Sequence, residues 1–116
     1  MSAGARTPEE LETLLEDALL VRDRQAIIEL FEESAVLVVG DERAARGGAA
    51  IARLALATWD GDHTYVADPR WVLQARDLAL IAAPQGLNVM RRGRDGAWRY
   101  AIIRLSVEDG IERRQQ

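Results

Sequence analysis

Apolar residues recur at helical spacing along the first third of the chain. Thr7-Pro8-Glu9-Glu10 is typical of a helix start, because threonine can accept from a free backbone amide and proline fits the first turn. Glu10 can complete a capping box with this threonine. Asp23 predicts the cap of a second helix. The inward positions are Leu11, Leu14, Leu15, Ala18 and Leu19 in the first helix and Ala26, Ile27, Leu30 and Phe31 in the second.

β-Branched residues then replace this pattern and predict a strand over 35–39, which ends at Gly40-Asp41. Gly47-Gly48 precedes a third helix, whose inner side carries Ile51, Leu54 and Ala55. The rest of the chain is strand-like, and Asp95-Gly96 is a strong hairpin signal. Further strands are predicted at 64–67, 71–75, 78–83, 87–92 and 98–107.

Two of these strands are apolar on both faces. Strand 78–83 contains no polar side chain, and strand 98–107 alternates between two largely apolar sets. A sheet that is apolar on both sides must be covered on both sides, and the helices can cover only one. We therefore expect a two-fold homodimer through the outer sheet face. In the last strand, Ala101, Ile103 and Leu105 are predicted to face one way, and Trp98, Tyr100 and Ile102 the other.

Length and composition indicate one globular domain. The chain has 116 residues, of which 48% are hydrophobic, and we expect a single domain over 1–116 with a core at about 8–107 and flexible ends. The first ten residues lack the apolar stretch of a secretory signal, no apolar run could span a bilayer, and cysteine is absent. The net charge of −4 argues against nucleic-acid binding. We expect a cytoplasmic protein without a cofactor and without a nucleic-acid or membrane partner.

Three segments carry a resemblance to a known group. Residues 22–31 resemble the turn from the first to the second helix in the nuclear transport factor 2-like superfamily, and residues 46–51 resemble the opening of its third helix. Residues 91–100 resemble the closing hairpin of the SnoaL-like and ketosteroid-isomerase-like bacterial branch. This resemblance implies an α+β, cone-shaped (cystatin-like) fold, in which three N-terminal helices pack on a curved antiparallel sheet.

The resemblance also allows a test for isomerase chemistry. Ketosteroid isomerases use a tyrosine on helix one, an aspartate base on the first strand and a protonated aspartate on a later strand. The matching positions here hold Leu15, Val39 and Asn88. Only Asn88 can donate a hydrogen bond to a carbonyl, and a leucine and a valine can neither donate nor take a proton. We therefore expect no isomerase activity of that kind.

The remaining candidates for chemistry are few. His63 is the single histidine, either a base poised near neutral pH beside Asp62 or a solvated turn residue, and one histidine cannot build a metal site. The first helix has a run of acidic residues that predicts its solvent-facing side. The partial positive charge at the helix N-terminus favours acidic residues there. This run comprises Glu9, Glu10, Glu12, Glu16 and Asp17.

These observations support three hypotheses. The leading one is a dimeric, non-catalytic protein that binds a small apolar molecule inside the cone, with Asn88 as the polar anchor. The second is an enzyme of the cyclase, isomerase or dehydratase type that uses Asn88 and His63. The third is a domain that acts only through its dimer or another protein. The predicted lining of the cone is Leu15, Leu19, Val39, Leu54, Trp59, Tyr65, Ala101, Ile103 and Leu105, together with Asn88.

Overall fold

A computed structural model describes residues 4–60, 70–84 and 86–105. Within them the chain forms three helices and a six-stranded sheet. No helix in these ranges is long and apolar enough to cross a membrane. The elements are α1 (Pro8–Leu20), α2 (Arg24–Glu29), β1 (Phe31–Val39), β2 (Arg43–Arg46), α3 (Gly48–Thr58), β3 (Trp71–Ala75), β4 (Leu78–Ala83), β5 (Gly86–Arg92) and β6 (Trp98–Leu105).

The sheet is mixed rather than wholly antiparallel. Its strand order is β2-β1-β6-β5-β4-β3. β1 and β6 run parallel, and the other neighbouring pairs are antiparallel. The parallel pair brings the first strand beside the last one, so residues from both ends of the chain meet in one core. The α+β architecture with three helices is confirmed, with this one correction to the strand directions.

The helix starts follow the sequence prediction closely. The hydroxyl of Thr7 accepts from the backbone amide of Glu10 at 3.0 Å, and the carboxylate of Asp23 accepts from that of Ala26 at 3.1 Å. Glu10 does not close the predicted box on Thr7, because its carboxylate accepts from the backbone amide of Arg6 at 2.7 Å. The carboxylate therefore binds the backbone amide one residue before the one that a capping box would use.

Two boundaries differ from the prediction. Phe31 was assigned to the second helix, but α2 ends at Glu29 and Phe31 begins β1, where its ring packs 5.1 Å from that of Tyr100. Residues 1–6 were expected to be a flexible leader. Ala5 is instead fully buried and forms an isolated bridge to Trp98, whose amide donates to its carbonyl at 2.9 Å. Backbone pairing with Trp98, the first residue of β6, explains this, since β1 begins to pair with β6 only at Tyr100. No apolar pattern signals this pairing.

A β-bulge in β6 changes which of its side chains face the helices. Met90 pairs with Tyr100, but Val89 pairs with Ile102, so Ala101 is the extra residue. An extra residue shifts the alternation by one position. Trp98 and Tyr100 are therefore buried on the inner side with Ile103 and Leu105, and only Ile102 of the predicted outward set is exposed.

The outer sheet face is apolar across five strands. Directly paired residues share one face of a sheet, so one row of side chains crosses it from β1 to β3. This row comprises Val36, Ile102, Val89, Leu80 and Leu73. Five large hydrophobic residues on this face are exposed by 44–56%, namely Trp71, Leu73, Leu78, Leu87 and Ile102. The two-sided apolar pattern of β4 is thus confirmed, whereas in β6 only Ile102 contributes.

Arg22, in the turn between α1 and α2, caps the C-terminal end of α3. Its guanidinium donates to the backbone carbonyls of Leu56 at 2.9 Å and Trp59 at 3.2 Å. α3 has no basic residue in its own last turn. A cation at a helix C-terminus satisfies free carbonyls and interacts favourably with the helix dipole. Arg22 also has a φ of 56°, in the left-handed region that non-glycine residues rarely adopt.

We expect Arg22→Ala to lower the free energy of unfolding by about 1 to 2 kcal/mol, because two charge-assisted hydrogen bonds are lost. Chemical denaturation would measure this. Arg24→Ala is the matched control, since Arg24 is exposed at the start of α2, where a cation has no favourable dipole interaction. Equal stability of the two variants would contradict the role assigned to Arg22.

Candidate functional site

Glu12 on α1 is fully buried, although its charge predicted a solvent-facing position. Its exposed fraction is 0%, whereas Glu9, Glu10 and Asp17 on the same helix are exposed. The buried side of α1 consists of Pro8, Leu11, Glu12, Leu15, Ala18 and Leu19. Glu12 lies within this stripe at i+4 from Pro8 and i−3 from Leu15, and Leu14 is displaced to the half-buried border. The prediction was wrong for Glu12 because its position in the helical repeat, rather than its charge, determines its burial.

Glu12 forms a polar cluster with side chains from two strands of the sheet. Its Oε2 accepts a hydrogen bond from the hydroxyl of Tyr100 at 2.8 Å and another from the Nδ2 of Asn88. Asn88 is 3% exposed and Tyr100 0%. Because Asn88 lies on β5 and Tyr100 on β6, the cluster ties α1 to the middle of the sheet. Buried polar groups that are hydrogen-bonded in this way specify one arrangement of a core.

Tyr100 joins the cluster because of the bulge at Ala101. Without the extra residue, strict alternation would place the Tyr100 hydroxyl on the outer face, away from α1. The Tyr100 ring also packs against the ring of Phe31, with 5.1 Å between the ring centroids. The sequence signals for the cluster are therefore weak: the helical spacing of Glu12 is readable, and the bulge is not.

The predicted site residues are brought together only in part. Asn88 is buried as expected, and its amide donates to the Glu12 carboxylate. His63 and Tyr65 lie outside the described residues. Within the described chain, no group of three His, Cys, Asp or Glu side chains converges on a possible metal site.

The residues predicted to line the cone are closely packed, and Leu54 is half-buried. Most of the others belong to one hydrophobic core cluster. The exposed fractions are 0% for Leu15, 5% for Leu19, 2% for Val39, 9% for Trp59, 7% for Ala101, 1% for Ile103 and 4% for Leu105. Side chains with so little accessible surface contact protein atoms rather than an open space.

An open groove of about 900 Å³ lies on the helical side of the molecule. It runs between α1, α2 and the start of β1, and none of its residues belongs to the predicted lining. The groove residues are Gly4, Leu14, Asp17, Ala18, Val21, Asp23, Ala26, Glu29, Leu30, Phe31 and Arg99. Arg99 is also part of an ion pair with Asp95 at 2.8 Å, and this hydrogen bond is the main cause that lowers the pKa of Asp95 to about 2.

Several solved structures have a similar architecture. A ketosteroid isomerase-like protein from Erwinia carotovora atroseptica superposes with a TM-score of 0.69 at 21% identity, covering 84% of this chain and 91% of that one. An NTF2-like protein with a cystatin-like fold from Novosphingobium aromaticivorans gives a TM-score of 0.71 at 21% identity, covering 88% and 80%. The chain has the nuclear transport factor 2-like fold.

A second cystatin-like structure, a Nostoc punctiforme protein of unknown function, gives a TM-score of 0.66 at 15% identity over 87% of this chain and 88% of its own. No family model and no curated protein matches the sequence. The three solved structures confirm the predicted nuclear transport factor 2-like fold. Similarity of fold does not transfer function, so the function must be argued from the residues of this chain.

Proposed function

We propose that this nuclear transport factor 2-like chain acts as a homodimeric interaction module, assembled through its outer sheet face. The observation that carries the proposal is the apolar row across five strands, in which Ile102, Val89 and Leu80 occupy the centre. Contiguous exposed apolar surface on this scale marks an association site in soluble proteins. A second copy is the partner that meets the same patch with the same chemistry, since a two-fold interface is self-complementary.

The charges around the face support a closed two-fold contact. Arg91 pairs with Glu32 at 2.8 Å, and Arg104 lies 3.7 Å from Asp41, so these cations have partners in the same chain. A polar, internally paired rim around an apolar centre is the usual anatomy of a protein interface.

Sedimentation of the purified protein tests the proposal. We expect a species with twice the 12.9 kDa chain mass at micromolar concentration. A monomer under those conditions would refute the dimer and with it this function.

A second candidate is the binding of a small, mostly apolar molecule at the cluster of Glu12, Asn88 and Tyr100. The cluster favours it because a carboxylate, an amide and a phenol can hold a single polar group of a ligand against apolar walls. This candidate comes second because Leu15, Val39 and Ile103 are closely packed and leave little room for a ligand. For the enzymatic alternative, Glu12 is a titratable group that lies within hydrogen-bond reach of both other members.

Thermal-shift screening against apolar metabolites distinguishes the two candidates. A ligand of the cluster should raise the melting temperature of the wild type and have a smaller effect on Asn88→Leu, because removing the amide weakens binding by at least about 1 kcal/mol. Val72→Leu, a volume change at the border of the core, is the control. If no compound shifts either protein, the second candidate is rejected and the dimer proposal is unaffected.

A further inference from the structure

Two acidic residues of the helical groove occupy positions that do not favour folding. Asp17 lies in the last turn of α1 and Glu29 is the last residue of α2, and neither last turn contains a basic residue. A helix C-terminus carries partial negative charge, so a carboxylate there is destabilising. Both side chains line the same groove. The two carboxylates and the C-terminal end of α1 therefore give this groove a negative potential.

The other charged groups of the groove do not cancel this potential. The Asp23 carboxylate caps α2 by accepting from Ala26, so its position follows from folding alone. Arg99 is the single cation among the groove residues, and Asp95 binds it through two hydrogen bonds of 2.8 and 3.2 Å. The hydrogen bonding from Arg99 is the main cause that lowers the pKa of Asp95.

The floor and rim of the groove are apolar. Ala18, Leu30 and Phe31 are buried beneath it, and Leu14 is half-buried along one side. Val21, at the end of α1, is 74% exposed. An apolar channel bounded by two helices is the geometry in which proteins accept an amphipathic helix, and acidic rims select basic flanks on it.

We propose that this groove is a docking site for a basic amphipathic helix of a partner protein. Its apolar face would lie on Leu14, Leu30 and Phe31, and its Lys or Arg side chains would pair with Asp17 and Glu29. The groove is partly open to solvent and about 900 Å³ in volume, which suits a segment of chain better than an enclosed metabolite. The site does not depend on the outer sheet face, so both surfaces can be occupied together.

A synthetic peptide tests the site directly. The probe is a fluorescent 15-residue peptide, with leucines at i, i+3, i+4 and i+7 spacing and lysines elsewhere, and its control has the same composition in scrambled order. Anisotropy titration should show saturable binding of the amphipathic peptide, at least about tenfold tighter than the scrambled one.

Charge reversal then locates the binding. Asp17→Lys combined with Glu29→Lys should weaken the amphipathic peptide at least about tenfold, and these changes suit both helix ends, so the variant should fold. Glu42→Lys combined with Asp60→Lys changes two exposed acidic residues outside the groove. This variant has the same net charge as the first one, so it is the matched control and should bind like the wild type.

Ile102→Glu changes the outer sheet face and should retain peptide binding. This result would show that the peptide site is distinct from the dimer interface. Equal binding of the scrambled peptide, unchanged binding by the variant with Asp17→Lys and Glu29→Lys, or no saturation up to about 1 mM would each overturn the proposal.

Discussion

Glu12→Ala is expected to lower the free energy of unfolding by about 2 to 5 kcal/mol. The substitution leaves the Tyr100 hydroxyl and the Asn88 amide without the acceptor that both use. Each buried donor that loses its partner costs about 1 to 3 kcal/mol. The missing side-chain atoms also leave a cavity at a fully buried position of a closely packed core.

One effect opposes this loss. A fully buried carboxylate is costly to remove from water, and deleting it recovers part of that cost. The balance still favours destabilisation, because truncation to alanine removes the partner without supplying an apolar side chain of similar volume. Glu12→Met, which fills the space, should therefore lose less stability than Glu12→Ala, although both lack the acceptor.

Urea denaturation of the wild type and five variants measures these contributions. Glu9→Ala is the control, because Glu9 is exposed on the same helix and should change stability by no more than about 0.5 kcal/mol. Tyr100→Phe should lose about 1 to 2 kcal/mol, and combining it with Glu12→Ala should cost less than the sum of the two single changes. Strict additivity would show that Glu12 and Tyr100 contribute independently.

The fold was largely predictable because its signals are local. Helix caps at Thr7 and Asp23, the β-branched run of β1 and the turn at Asp95-Gly96 each act over a few residues. The polar cluster was not predictable in the same way. Its members are separated by 76 and 88 positions, and their meeting depends on which strands pair and in which register.

Residue type concealed part of the site as well. Glu12 satisfies the spacing of the buried stripe of α1, but a carboxylate in a helix is usually solvated, so charge outweighed position. In β6 the difficulty was the reverse. Apolar residues occur on both sides of Ala101, so the composition gives no sign of the bulge that turns Tyr100 inward. A bulge reveals itself only when the partner strand is known.

The outer sheet face leads to the second prediction, which concerns assembly. Ile102→Glu should convert the dimer to a monomer, raising its dissociation constant at least about a hundredfold. Ile102 is 44% exposed and pairs with Val36 and Val89 in the middle of the apolar row. In a two-fold interface each substitution occurs twice, so two carboxylates would be placed in an apolar contact without partners. A hundredfold change corresponds to about 2.7 kcal/mol, which two buried, unpaired charges readily exceed.

Leu20→Glu is the matched control for this prediction. Leu20 is also a large, exposed aliphatic residue, at 63%, but it lies at the end of α1 rather than on the sheet. The two variants carry the same added charge, so a difference between their dissociation constants reports the position of the substitution. Analytical ultracentrifugation over a concentration series gives both dissociation constants. If Ile102→Glu remains dimeric while Leu20→Glu dissociates, the interface lies on the helical side, and the apolar row must serve a different partner.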